Sequence, residues 1–289
     1  MGRISELFKL EGIGNDFLVA LVDEPISDLE PQYVRLLCNR HRGLGADGLI
    51  VSALIAGTAA SASMLLYNAD GTRAEMSGNG IRCLAHALVR SGLVTTDRFV
   101  ISTDAGLKEV VFAQADNPDH AMVEVGMGEV AYLSAPFGVQ GRFEGVDFLG
   151  SELDVGNPHL IFLPRAQVEG GAASIDLDHL DLGTLGPMLE SRYPQGSNIE
   201  WLDLDAQKNT ARMRVWERGA GITQACGTGS AASAFLLIDQ GLVGGEVTID
   251  NPGGALKLRR NGDNGEMLLV GESRFVAMVE PASDLCFDY

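Results

Sequence analysis

Two stretches of this chain repeat one another at a constant spacing of 149 residues. The first runs from Met64-Leu-Leu-Tyr-Asn68 to Ser77-Gly78-Asn79-Gly80. The second runs from Met213-Arg-Val-Trp-Glu217 to Cys226-Gly227-Thr228-Gly229. Each opens on alternating strand-like residues and passes through a polar turn. Each then reaches a Ser/Cys-Gly-x-Gly step and a small apolar helical run, Ile81 to Val89 or Ser230 to Leu237. Looser echoes keep the same order: Gly14-Asn15-Asp16-Phe17 with Gly156-Asn157-Pro158-His159, and Ile101–Gly106 with Ile249–Gly254. A chain built this way has two similar α/β halves, joined near residues 125–135. Its 289 residues are enough for each half to bury a core.

The rest fits such halves. Phe99–Thr103, Glu109–Gln114, Ala121–Val125 and Leu160–Leu163 read as short strands. Pro31 to Arg40 and Leu180 to Tyr193 suit helices. The net charge of −18 argues against nucleic acid or an anionic membrane surface as partner. No apolar run reaches membrane-span length and Met1 to Leu10 lacks a signal core, so the cytoplasm is the expected location. Cys38, Cys83, Cys226 and Cys286 form no CxxC pair, and His and Cys are too scattered for zinc. Gly43-Leu-Gly45-Ala-Asp-Gly48 has GxGxxG spacing but follows a basic run rather than a strand, and reads as a turn.

The two Gly-rich helix starts carry the chemistry. A helix N-terminus presents unpaired N–H groups and a positive dipole end, and glycine lets an anion approach. A cysteine there is expected to have its thiolate stabilised, which makes Cys226 the candidate reactive thiol. Two such positions suit inversion of an α-carbon, which needs a base on one face and an acid on the other.

Taken together these motifs resemble the diaminopimelate epimerases. Phe8-Lys9, Gly12 to Phe17, Arg42 to Gly48, Asn68 to Gly71, Ala74-Glu-Met76, Gly78 to Cys83, Gly156 to His159, Glu217 to Gly219 and Ala225 to Gly229 stand in family order. The resemblance implies an α/β (α+β) fold of two pseudo-symmetric domains. Each is a curved, mostly antiparallel sheet around a central helix, residues 1–128 with 275–289 and residues 129–274. It implies a homodimer with a small amino-acid substrate, no metal and no pyridoxal phosphate, in lysine and cell-wall synthesis. It assigns Asn15, Asn68, Asn157 and Asn198 to the substrate's distal end and neighbouring groups. Glu217 and Arg218 would read that end. Gly78, Asn79, Gly227 and Thr228 would surround the reacting carboxylate, and His159 would lie near the catalytic pair.

One position departs. The family has Cys-Gly-Asn-Gly where this chain has Ser77-Gly-Asn-Gly80. A hydroxyl without an activating neighbour is a poor base. Three readings follow: an epimerase using Cys226 and Ser77 with weakened activity, or a racemase of another amino acid; one-sided α-proton abstraction, as in a dehydratase; or a catalytically silent diamino-acid binder. The first fits the substrate-holding residues best.

Overall fold

The computed structural model describes residues 3, 4, 6–55, 60–171, 174–262, 265–282, 285, 287 and 288. Cys286 lies outside them. The chain divides into two compact units, Met1–Val125 with Gly271–Tyr289, and Gly126–Val270. The divisions fall a few residues before 128/129 and 274/275, inside two long strands, His120–Glu129 and Glu266–Val279. No described helix is long and apolar enough to cross a membrane.

In the first unit the helix Gly78–Arg90 is the centre. Its run from Gly78 to Leu88 is buried all round, which marks a core helix rather than a surface one. It packs against Leu7–Gly12, Asn15–Val22, Gly48–Ala53 and Gly106–Gln114. Leu7–Gly12 pairs antiparallel with both Glu266–Val279 and Asn15–Val22. Asn15–Val22 runs parallel to Gly48–Ala53. The crossover between them carries the helix Pro31–Cys38, which begins on proline and ends before Asn39 rather than at Arg40. Asn39 Oδ1 stops it by accepting from the N–H groups of His41 and Arg42. Gly48–Ala53 is buried on both faces, which explains its unbroken apolar run. Its outer face joins Leu18, Leu37 and Tyr67 in a core beneath that helix.

The second unit repeats the plan. The helix Gly227–Asp239 packs on Val146–Asp154, Pro158–Pro164, Asn198–Asp205, Glu246–Asn251 and Gly254–Asn261. Pro158–Pro164 runs parallel to Asn198–Asp205, as Asn15–Val22 does to Gly48–Ala53. The offset of 149 carries both ends of the first central helix onto those of the second. An outer core of Phe148, Phe162, Leu177, Leu189 and Trp201 replaces the one under Pro31–Cys38. The helix above it is Leu182–Glu190, shorter than Leu180 to Tyr193, with Asp181 Oδ1 capping Thr184 N–H at 3.2 Å.

Candidate active site

A tight hairpin turn positions Asn15. Ile13 and Gly14 both have positive φ, 48° and 82°, as two-residue hairpins favour. The amide of Asn15 then reaches inward. Its Nδ2 donates to Asp47 Oδ2 at 2.8 Å, and its Oδ1 accepts from Asn79 Nδ2 at 3.2 Å. Asp47 also accepts from Arg40 at 2.6 Å. Arg40 grips Asp16 at 2.6 Å, and Lys9 bonds to Asp16 as well. Ser77 caps the central helix, its Oγ accepting from Gly80 N–H at 3.0 Å. Asn68 stands apart. It is exposed, and its amide bonds Thr72 Oγ1 at 3.0 Å.

The ion cluster behind Asn15 sets an acid limit on this unit. Burial raises the Asp16 carboxyl's affinity for protons, but Arg40 and Lys9 outweigh it and hold the group well below the usual carboxylate range. A depressed folded-state pKa gives stability that is present above the unfolded value, near pH 4, and lost as pH falls below it. Asp16→Asn is therefore expected to lower the urea midpoint at pH 7 and to flatten its fall below pH 4. An unchanged acid limb in denaturation curves rejects this assignment.

In the second unit the predicted residues form one chain of contacts. Cys226 caps Gly227–Asp239, Sγ accepting from Gly229 N–H at 3.3 Å. Thr228 Oγ1 lies 3.5 Å from Sγ and accepts from Asn157 Nδ2 at 3.5 Å. Asn157 Oδ1 contacts His159 Nε2 at 3.0 Å, and His159 Nδ1 contacts Glu200 Oε1 at 2.7 Å. His159 and Glu200 are wholly buried. An amide oxygen only accepts, so the ring donates from Nε2 in the contact with Asn157. Glu217 is half-buried and bonded to Thr223, and its carboxyl also meets the Cys226 thiol. Asn198 braces the neighbouring backbone. It donates to Pro158 O at 3.1 Å and accepts from Arg218 N–H at 3.0 Å. The Arg218 side chain is exposed and bonds Gln195 O at 3.1 Å.

The thiol corrects an expectation. The helix start was expected to favour the thiolate. Instead burial, then Glu217, then Glu200 push the Cys226 thiol well above its ordinary range, against the opposing bonds of Thr228 and Gly229. Burial likewise raises the Glu217 carboxyl. Burial and the two carboxyl groups thus favour the protonated thiol over the thiolate here.

The two helix starts share a backbone but not their neighbours. Strand register sets Phe17 in the first unit where the second has His159, and Ile50 where it has Glu200. A methyl group added to Gly80 would meet Ile50 Cδ1 at 3.2 Å. One added to Gly229 would meet Glu200 Oε1 at 2.3 Å. Gly229 is thus the space in which the buried carboxylate stands. Gly229→Ala is expected to cost about 1–3 kcal/mol by overpacking, and more than Gly80→Ala. Paired urea titrations of the two variants check the order; equal costs reject it.

Sequence reasoning missed Glu200. Its one signal is a carboxylate inside the otherwise apolar run Ile199–Leu202. Alternation puts Trp201 in the outer core and so Glu200 inward. No group of three or more His, Cys, Asp or Glu side chains among the described residues is placed to hold a metal ion.

Comparison with known proteins follows the same lines. The sequence model of the family described as diaminopimelate epimerase matches residues 7–133 and 153–276. A diaminopimelate epimerase of Rhodococcus opacus is 38% identical over 286 residues, spanning 93% of this chain and 94% of its own length. One from Halothermothrix orenii is 36% identical over 267 residues, spanning 86% and 89%. Among solved structures, a hydroxyproline epimerase from Agrobacterium vitis superposes with a TM-score of 0.69 at 16% identity, covering 97% of this chain and 93% of its own. A phenazine biosynthesis protein from Bacillus anthracis gives 0.70 at 13% identity, covering 96% and 99%. At such identities these two speak for the fold alone.

Proposed function

Because this chain belongs to the diaminopimelate epimerase family, we propose that it interconverts LL- and meso-diaminopimelate by proton transfer at the α-carbon. Cys226 serves one face of that carbon and Ser77 the other. Relatives of this name, similar over nearly their whole length, support the substrate. The observation that carries the chemistry is the buried thiol at a helix start, tied through Thr228 and Asn157 to His159 and Glu200. Proton removal leaves a carbanion whose charge spreads into the α-carboxylate. The N–H groups at the start of each helix are the donors suited to hold it. The other named polar residues serve recognition: Asn15, Asn68, Asn157 and Asn198, with Glu217 and Arg218. A cytoplasmic homodimer is the assembly in keeping with this reading.

A second, narrower reading has an observation of its own. The Ser77 hydroxyl oxygen accepts from Gly80 N–H, and the apolar side chains of Ile50 and Met64 stand beside that glycine. None of these described neighbours can take the hydroxyl proton. The chain as it stands is then a one-sided catalyst: Cys226 exchanges the α-proton on its face without delivering the inverted product.

Proton NMR of LL- and meso-diaminopimelate in deuterated buffer tests both. Slow inversion is expected on the first reading, and loss of the α-proton signal from one stereocentre without inversion on the second. Rapid inversion instead makes Ser77 a competent partner. If neither isomer exchanges at any pH from 6 to 10, the assignment of Cys226 fails.

A further inference from the structure

Arg82 is a wholly buried cation. Its Nη1 donates to Gly78 O at 2.8 Å, its Nη2 to Asn79 Oδ1 at 3.0 Å and its Nε to Glu272 O at 3.2 Å. All three acceptors are neutral. Among the described residues, no carboxylate lies within ion-pair distance of it.

The acids and bases around it are otherwise engaged. Glu11 acts on Arg82 from a distance, with its carboxylate accepting from Gly14 N–H at 2.9 Å. The Glu272 carboxylate meets His120. Asp16 is held by Lys9 and Arg40. His86 Nδ1 contacts Ser273 Oγ at 3.3 Å. Burial pushes the Cys83 thiol up to about 12, so it stays neutral. Burial also brings the Arg82 guanidinium down to about 10, which leaves it charged at neutral pH.

An unpaired buried charge is expensive, so its placement matters. Two of its three acceptors belong to Gly78 and Asn79, the first residues of the central helix. The charge therefore sits in the first turn and adds to the positive end of the dipole. It also orients two amides. A guanidinium only donates, so Asn79 must offer its oxygen to Arg82 and its NH2 to Asn15. Asn15 in turn offers its NH2 to Asp47. In the second unit the offset of 149 puts Ala231 at this place, and the carboxylates Glu200 and Glu217 stand by the helix start instead. Two matching backbones thus have different side chains beside them: a guanidinium at the first helix start, carboxyl groups at the second.

We propose that Arg82 is a positioning residue whose buried charge makes the Ser77–Gly80 helix start the stronger anion holder of the two, strengthening the hold of the Gly78 and Asn79 N–H groups on a carboxylate and favouring an ionised group at position 77. The identity of that carboxylate as the substrate's rests on the function proposed above; the effect of the charge does not.

The test uses the full chain carrying Ser77→Cys. The pH midpoint for alkylation of the introduced thiol by iodoacetamide is read by mass spectrometry of its peptide, with the Cys226 peptide as internal reference. Adding Arg82→Lys, which keeps the charge and loses the fork, is expected to leave the midpoint within about 0.3 pH unit. Adding Arg82→Met is expected to raise it by about one unit, roughly tenfold less thiolate at pH 7. Should Arg82→Met not fold, Glu11→Gln supplies the reverse test, because removing the distant negative charge lowers the midpoint. The Cys226 midpoint stays in place throughout. An unmoved midpoint in Arg82→Met, a rise in Arg82→Lys as large as in Arg82→Met, or an unmoved or raised one in Glu11→Gln overturns the proposal. Failure to turn over diaminopimelate leaves this titration readable and speaks only against the proposed function.

Discussion

Ser77→Cys is expected to raise inversion of LL-diaminopimelate by about 10²- to 10⁴-fold, the range a positioned acid or base contributes. The second unit shows why the change fits. Cys226 caps its helix from φ −124°, ψ 114°, and Ser77 does so from φ −137°, ψ 125°. Sulfur accepts from Gly229 N–H as the hydroxyl does from Gly80 N–H. The cost is a weaker cap, about 0.5–1 kcal/mol if the thiol caps less well than serine. The gain is a group that ionises near pH 8.5 rather than far above it. Coupled assays or NMR integration of the two isomers read the rate directly. No detectable inversion by this variant, in a chain that still binds substrate, would remove the two-base reading.

Cys226→Ala has the second large effect. Exchange of the α-proton with deuterated solvent is expected to fall by at least about 10³-fold, in the parent chain and in Ser77→Cys alike. Each face of the carbon needs its own proton carrier, and no other thiol in the described second unit can substitute. Cys38 and Cys83 lie in the first unit, where burial raises both to about 12. The stability of Cys226→Ala should change by far less than the activity, because one capping contact is lost. Residual exchange within tenfold of the parent points to Glu217 as the group that takes the proton. A circular dichroism melt separates a silent folded variant from an unfolded one.

Much of this arrangement was legible in the residues. The 149-residue repeat fixed two matching helix starts, and both helices cap on the predicted Ser77 and Cys226. The diaminopimelate epimerase resemblance rested on motifs in order along the chain. What escaped was whatever depends on strands meeting from afar. A helix start favours a thiolate only when its own dipole is the nearest charge. The opposing carboxylates arrive from Asn198–Asp205 and Thr210–Glu217, and the parallel register with Pro158–Pro164, which pairs His159 with Asn198, leaves Glu200 two residues along and within reach of the His159 ring. Arg82 was visible within Gly78 to Cys83, yet nothing in a sequence says that a guanidinium points into a helix's own first turn. Chain-end effects matter as well: Leu180 to Tyr193 looked helical throughout, but the helix starts only where Asp181 caps it.

The division of units inside two strands has a consequence for handling the molecule. A gene cut after Val125 encodes the first unit without Gly271–Tyr289, and so without the strand that covers one side of Leu7–Gly12. That strand would then offer bare N–H and carbonyl groups to any passing chain, an invitation to aggregate. Expression of the first half alone is therefore best done as a fusion. The segment from Gly271 onward would be spliced after Val125 through a glycine-serine tether, turning a discontinuous body into a continuous polypeptide.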